Sequence, residues 1–405
     1  MIERNIRACV NDILWKYGKM AFISGPRQAG KTTLAKAILK EAGQGVYFNW
    51  DIISDQKKLI KDPYFFEKEN RDPRKKFPVV FDEIHKYSKW KNYLKGAYDG
   101  YGGEFPFIVT GSGRLDLFKK GGDSLLGRYF SVPLLPLTLG ELLGRAPDWE
   151  AFKKQLPDLP KTADARGLYE SLFKLSGFPE PFAKGSEVFY RMWFQERKSL
   201  LIREDIKNAY AIREISNVEV LSNLLPDKIG GPLSVNSLKE DVGASFDTVK
   251  DWLLILAQFY YLFSIRPFSK SIARAIKKEA KIYLYDWVEV QEESFRFENL
   301  IALHLYKAAS LWRGLGQADV ELFYLRDKEK REVDFMLAEK GRPLALIECK
   351  LNDAEISGNL PAFQNRTGAP FAIQLVGKKG VSKRTKRSGF TQWVVSAERF
   401  LEILP

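Results

Sequence analysis

Cysteine and histidine are scarce in this chain of 405 residues, with two of each. Cys9 and Cys349 are too few for a disulfide scaffold or a cysteine zinc site, and they fit a reducing compartment. His85 and His304 alone give histidine metal ligation or a histidine-based triad little to be built from. No apolar run approaches a membrane span. The start Met1-Ile2-Glu3-Arg4-Asn5 lacks the apolar stretch of a signal peptide. The expectation is therefore a cytoplasmic protein without a membrane partner. Internal repeats and long low-complexity tracts are also missing.

What is present is a foldable, basic chain. Hydrophobic residues make up 45% and aromatics 13%, enough for packed cores. The length exceeds one ordinary core, so two or three domains are expected. The net charge is +13, which favours an anionic partner, most simply nucleic acid.

One stretch organises the rest: Gly25-Pro26-Arg27-Gln28-Ala29-Gly30-Lys31-Thr32 matches G-x-x-x-x-G-K-[ST]. Ala21-Phe22-Ile23 before it reads as a buried strand. Thr33 to Leu39 after it reads as a helix, with Leu34, Ala35, Ile38 and Leu39 apolar. In that setting the glycines let consecutive N–H groups face one anion, and the helix N-terminus adds its dipole. Lys31 would neutralise phosphate charge, and the Thr32 hydroxyl would hold Mg²⁺. The implied ligand is a nucleoside triphosphate.

Val46 to Asn49 reads as a second strand. Phe77-Pro78-Val79-Val80-Phe81-Asp82-Glu83 is an apolar strand from whose C-terminal end two carboxylates emerge, the end where parallel sheets bind ligands. Asp82 would hold Mg²⁺ through water, and Glu83 would orient and deprotonate the attacking water. Trp90 to Tyr98 reads as a helix. Phe107 to Thr110 is another buried strand ending at Gly111-Ser112-Gly113, where Thr110 or Ser112 could touch the γ-phosphate or the water. Arg128, in Leu125-Leu126-Gly127-Arg128-Tyr129-Phe130, is a candidate to meet a phosphate, in cis or across a subunit boundary.

These segments, with Pro133-Leu134-Leu135-Pro136-Leu137-Thr138-Leu139-Gly140-Glu141-Leu142, Ser176 to Pro181 and Leu201 to Ile206, resemble the prokaryotic AAA-type ATPases of the AAA_14 kind with a C-terminal DUF4143 region. The resemblance spans essentially the whole chain. It implies a P-loop ATPase core and strengthens Asp82, Glu83, Ser112 and Arg128 as site residues. ATPases of this kind often form rings, so a homo-oligomer is expected.

The middle is helix-rich, with a long helix over 188–209 carrying Arg203-Glu204-Asp205. That cluster could reach a neighbouring subunit's nucleotide, or form a solvated salt-bridge face. Ser234 to Leu253 has helix–turn–helix punctuation, with Leu238 and Val242 inward, Gly243 at the turn, and Val249, Trp252, Leu253 and Leu256 packed in the second helix. Tyr260 to Ile265 and Ala280 to Asp286 read as a strand pair, joined by a loop with Lys270, Arg274, Lys277, Lys278 and Lys281. Together this reads as a winged helix, which serves DNA or protein contact. The mixed face Asp247, Thr248, Lys250, Asp251 does not suggest a sequence-specific reader.

The last segment holds a helix with Glu298, followed by strands at 321–324, 333–337, 344–350, 371–375 and 393–395. Asp334 begins one strand and Glu348-x-Lys350 ends the next, where residues two apart share a face. Two carboxylates can hold Mg²⁺ or Mn²⁺ against a scissile phosphate, and the lysine can activate water. Glu298 could add a ligand. In element order and motif this resembles the PD-(D/E)xK nuclease core, without its leading proline. Lys378-Lys379 and Lys383 to Arg387 read as a basic loop that could meet a phosphate backbone.

The expected architecture is α/β. A P-loop parallel-sheet ATPase core spans 1–148, a helical region 149–225, a winged helix 226–290 and a mixed α/β restriction-endonuclease-like domain 291–405. The leading functional expectation is a Mg²⁺-dependent ATPase that binds DNA and cleaves it through Asp334, Glu348 and Lys350. The alternative is an ATP-dependent regulatory switch acting on a protein partner, with the nuclease-like fold silent.

Overall fold

Short apolar runs punctuated by glycine and charge build a parallel sheet in the first third of the chain. β1 (Met20–Ser24), β3 (Val79–Asp82) and β4 (Phe107–Gly111) are buried along their whole length, as strands covered on both faces must be. With β2 (Val46–Asn49) and β5 (Tyr129–Pro133) they form an all-parallel sheet in the order β2-β3-β4-β1-β5. β4 thus lies between β1 and β3, and the ends of all three strands converge on one edge. The helix Lys31–Ala42 buries Leu34, Ala35 and Ile38. Phe22, Phe48, Phe66, Phe81 and Phe107 supply much of the core, and Phe22 stacks on Tyr129 with ring centroids 4.2 Å apart.

This computed structural model describes residues 2–113, 125–160, 165–210, 214–269, 279–387 and 389–405. It divides into two compact units. One is Arg4–Leu135 with Gln258–Tyr260; the other contains Pro136–Ala257 and Tyr261–Pro405. The stretch 136–148, expected at the end of the first domain, lies in the second unit. Polar bonds hold it there. Lys307 Nζ donates to Pro136 O and pairs with Glu141 Oε2, Leu139 N donates to His304 Nε2, and Trp312 Nε1 donates to Pro147 O.

The second unit carries a mixed sheet in the order β12-β13-β11-β10-β9-β8-β6-β7. Its strands are β6 (Leu262–Pro267), β7 (Lys281–Leu284), β8 (Val320–Arg326), β9 (Glu332–Glu339), β10 (Arg342–Lys350), β11 (Phe371–Val376), β12 (Ser382–Arg387) and β13 (Phe390–Ser396). The expected wing strands β6 and β7 pair antiparallel, but β6 also pairs parallel with β8. The segments expected as winged helix and nuclease-like domain therefore share one sheet. The basic loop expected over Lys383 to Arg387 is instead the edge strand β12, exposed at every position and paired only with β13. It lacks apolar alternation, so its pairing comes from backbone bonds to a buried neighbour. Lys270, Arg274, Lys277 and Lys278 fall outside the described residues.

The helices Val235–Val242 and Phe246–Gln258 flank Gly243, which is left-handed at φ 70° and closes the first helix. The long helix expected over 188–209 is present as Glu187–Leu200 continued by a wide turn, Leu201–Ile206, and Lys207–Ala209. In it Arg203 pairs with Glu219 at 3.0 Å on the surface, as the solvated salt-bridge reading expects, whereas Asp205 is buried. No described helix is long and apolar enough to cross a membrane.

Candidate functional site

The phosphate loop leaves β1 through Gly25, whose φ is +149°; a Cβ there would stand 2.3 Å from Leu134 O, so only glycine fits. Gly30, left-handed at φ 97°, precedes the helix Lys31–Ala42 and offers no side-chain cap. The first N–H groups of this 12-residue helix are thus left for an anion. Lys31 Nζ donates to Gly25 O at 2.9 Å and Pro26 O at 2.8 Å, which holds its cation against the loop. From behind, the buried Arg4 guanidinium donates to Ala29 O at 2.7 Å and to Leu135 O. Arg4 is a positioning residue that no local sequence signal marks. Gln28 is left-handed at φ 63°. Arg27 and Thr33 take their expected places in the loop and first helical turn.

Asp82 gathers the site. Its Oδ2 accepts from Thr32 Oγ1 at 2.7 Å and from Tyr47 OH at 2.5 Å, and its Oδ1 accepts from Thr110 Oγ1. The Thr110 hydroxyl, a candidate for contact with phosphate, is therefore committed to Asp82. Tyr47 was not legible as a site residue, because β2 reads only as an apolar strand. Burial first, then the Asp82 carboxylate, pushes its phenol well above the ordinary range. Hard oxygens on Thr32 and Asp82, already side by side, suit Mg²⁺. These residues fit the ion.

Glu83 follows in a left-handed conformation at φ 55°, and its backbone N–H donates to Thr110 O at 3.1 Å. Its buried Oε2 accepts no hydrogen bond; His85 Nε2 lies 3.6 Å away and Lys86 Nζ 3.7 Å. Burial raises its carboxyl above the usual range, against the opposing pull of Lys31 and Lys86. Ser112 is buried one residue beyond β4, whose Gly111 pairs in register with Ser24. Arg128 is elsewhere. Its carbonyl accepts from Met20 N, at the start of β1, whereas the loop leaves the strand's far end. Four residues of strand separate the two ends by roughly 13 Å. Within its own chain Arg128 pairs with Asp99, at 2.6 and 2.9 Å.

The family comparison agrees with this geometry, because the AAA domain description matches residues 17–143, which contain the loop, Asp82, Glu83 and Ser112. This segment is an AAA domain. Beyond it, residues 166–287 match a domain of unknown function, DUF8612, and residues 294–398 another, DUF4143. An uncharacterized protein of Methanocaldococcus jannaschii is 24% identical over 371 residues, covering 85% of this chain and 78% of that one. Among solved structures, AMPPCP-bound DnaA from Aquifex aeolicus aligns at 14% identity and TM-score 0.33, over 64% of this chain and 89% of that one. The C. elegans PCH-2 structure aligns at 15% and 0.26, over 61% and 65%.

The DUF4143 segment brings the other sequence candidates together. Asp334 on β9 accepts from Cys349 N at 2.8 Å, between Glu348 and Lys350 on β10. Glu298 Oε1, on the helix Glu293–Gly314, accepts from Tyr283 OH at 2.6 Å. Lys350 Nζ stands 3.1 Å from Glu348 Oε1, whose Oε2 is buried without a hydrogen bond. The surprise is Lys281. Expected in a basic wing, it is instead the fully buried first residue of β7. Its Nζ lies 3.1 Å from Glu298 Oε1, 2.5 Å from Glu332 Oε1 and 3.5 Å from Asp334 Oδ1. Burial and the neighbouring carboxylates Glu298 and Glu348 push Asp334 well above the usual range.

Proposed function

We propose that the AAA domain hydrolyses ATP with Mg²⁺, and that the second unit responds by contacting DNA. The observation that carries the first part is the Thr32–Asp82 bond beside the loop that holds Lys31. The loop N–H groups and Lys31 would bind the phosphates, and Thr32 and Asp82 would hold Mg²⁺. The ion, when bound, neutralises charge on the phosphate oxygens. Glu83 takes a proton from the attacking water at its Oε2, which accepts no hydrogen bond, while the water oxygen bonds to the γ-phosphorus. The bond from phosphorus to the bridging oxygen breaks, releasing ADP. Ser112, just beyond the end of the intervening strand, would steady the γ-phosphate. Arg128 enters this chemistry only if a homo-oligomer or ring presents it to a neighbouring copy's nucleotide.

For the DNA part, the supporting observation is the exposed edge strand β12. Lys386 and Arg387 on it carry no ion pair among the described residues. The second helix of the helix–turn–helix is less suited. It exposes Phe246 and Leu254 beside Asp247 and Asp251, a face that favours a protein partner and supports the regulatory-switch reading for that helix. DNA cleavage at Asp334, Glu348 and Lys350 is not part of this proposal, because Lys281 already engages their carboxylate cluster. Retention of the full chain on DNA, falling steeply with added salt and reduced in Lys386→Ala/Arg387→Ala, tests the DNA part. Salt-insensitive or absent binding would leave the protein-partner reading.

A further inference from the structure

A divalent metal ion does not fit the carboxylate cluster of the DUF4143 segment as this chain builds it. Such an ion needs two or more carboxylate oxygens within about 2.0–2.6 Å of one point, with room for water and substrate phosphate. Here oxygens of Glu298, Asp334 and Glu332 that would converge are already engaged, and Glu348 Oε2 is left without a hydrogen bond. Glu298 Oε1 meets both Tyr283 OH and Lys281 Nζ, and Asp334 meets Cys349 N on one oxygen and Lys281 Nζ on the other. Glu332 is shared between Lys281 and Arg326, the latter at 3.0 Å. Among the described residues no group of three acidic, histidine or cysteine side chains is arranged to hold a metal ion.

Charge leads to the same conclusion. A buried ammonium among three carboxylates supplies the positive charge that would otherwise have to be bound, and a second cation beside it would be repelled. The site's carboxylates were legible in the sequence, but their counter-ion was not, because Lys281 arrives from a strand that precedes the helix of Glu298. We infer that the Lys281 ammonium is the resident cation of this cluster. It takes the place of a metal ion, and the nuclease-like site binds no divalent cation and cuts no phosphodiester. The C-terminal half is then a non-catalytic module whose acidic cluster locks β7, β9 and the helix Glu293–Gly314 together.

The test uses the full chain without nucleotide, in a Thr32→Ala background so that the phosphate loop contributes no metal, and Mn²⁺ alone as probe. With Lys281 intact, Mn²⁺ titration followed by electron paramagnetic resonance should show no site that Asp334→Asn removes, and the melting temperature should not respond to Mn²⁺. Lys281→Met should lower the melting temperature, take up one Mn²⁺ per chain and recover several degrees on Mn²⁺ addition. Mn²⁺ uptake by the Lys281 chain that is lost in Asp334→Asn would overturn the inference. So would a folded Lys281→Met chain that ignores Mn²⁺. If Lys281→Met does not fold, the comparison of the Lys281 chain with its Asp334→Asn variant decides alone. No nucleotide hydrolysis enters the readout, so failure here is separate from failure of the ATPase proposal.

Discussion

Thr32 Oγ1 donates a 2.7 Å hydrogen bond to Asp82 Oδ2, which ties the first turn after the phosphate loop to the end of β3. The two residues are far apart in the chain, and only the parallel sheet brings them together. In the proposed site Thr32 would hold Mg²⁺ directly and Asp82 would hold it through water, so loss of either should weaken the ion's hold. Asp82→Asn should weaken the Mg²⁺ dependence of turnover by about 10–100-fold, as removal of an outer ligand does. Thr32→Ala should weaken it at least as much. A Mg²⁺ titration of turnover checks both; an unchanged half-saturation in Asp82→Asn would contradict the assignment.

The pH dependence of turnover should report Glu83. The water proton needs an ionised carboxylate. Burial raises this group above the ordinary carboxyl range, so protonation on lowering pH begins earlier than for an exposed glutamate. Turnover should fall on the acid side with a midpoint above about 4.3, the unperturbed glutamate value. Lys86→Ala should move that midpoint further up, because a cation that favours the charged form is gone. A midpoint unmoved by Lys86→Ala would argue against Glu83 as the titrating base.

His304 predicts a stability effect of defined sign. Its Nε2 accepts from Leu139 N at 3.1 Å while Nδ1 bonds Leu300 O at 2.8 Å, so the ring is neutral with its proton on Nδ1. Burial pulls its pKa from 6.5 to about 4. A depressed folded value means that the unfolded chain binds more protons between these two pH values. Stability from this group is therefore complete above pH 6.5 and declines as pH falls to about 4, by roughly 3 kcal/mol. Thermal melts of the wild type should show this slope, and His304→Gln should reduce it. Equal slopes in both would show that His304 does not titrate as argued.

The ATPase half was largely legible in the sequence because its chemistry is local. Gly25 to Thr32 is a contiguous motif, and Asp82 and Glu83 end an unmistakably apolar strand. Arg4 and Tyr47 were not legible. Each acts on the site through one polar atom delivered across the fold, and neither neighbourhood has a pattern that differs from ordinary helix or strand. The same limit applied in the C-terminal half. Glu298, Asp334, Glu348 and Lys350 follow from strand and helix order, whereas Lys281 looked like one more basic residue in a loop rich in them. Arg128 shows a different limit. Nearness in sequence to the Ser112 strand suggested nearness to phosphate, but a parallel crossover returns the chain to the other end of the sheet. β12 escaped notice because no apolar alternation marks it.

Steady-state ATP hydrolysis by the full chain, measured together with equilibrium ATP binding, tests the central claim most directly. With Mg²⁺ the wild type should turn over. Glu83→Gln should bind ATP with wild-type affinity but lose turnover by roughly 10²–10⁴-fold, as loss of a general base does. Lys31→Ala should lose both binding and turnover. Undiminished hydrolysis in Glu83→Gln, or in Lys31→Ala, would contradict the account.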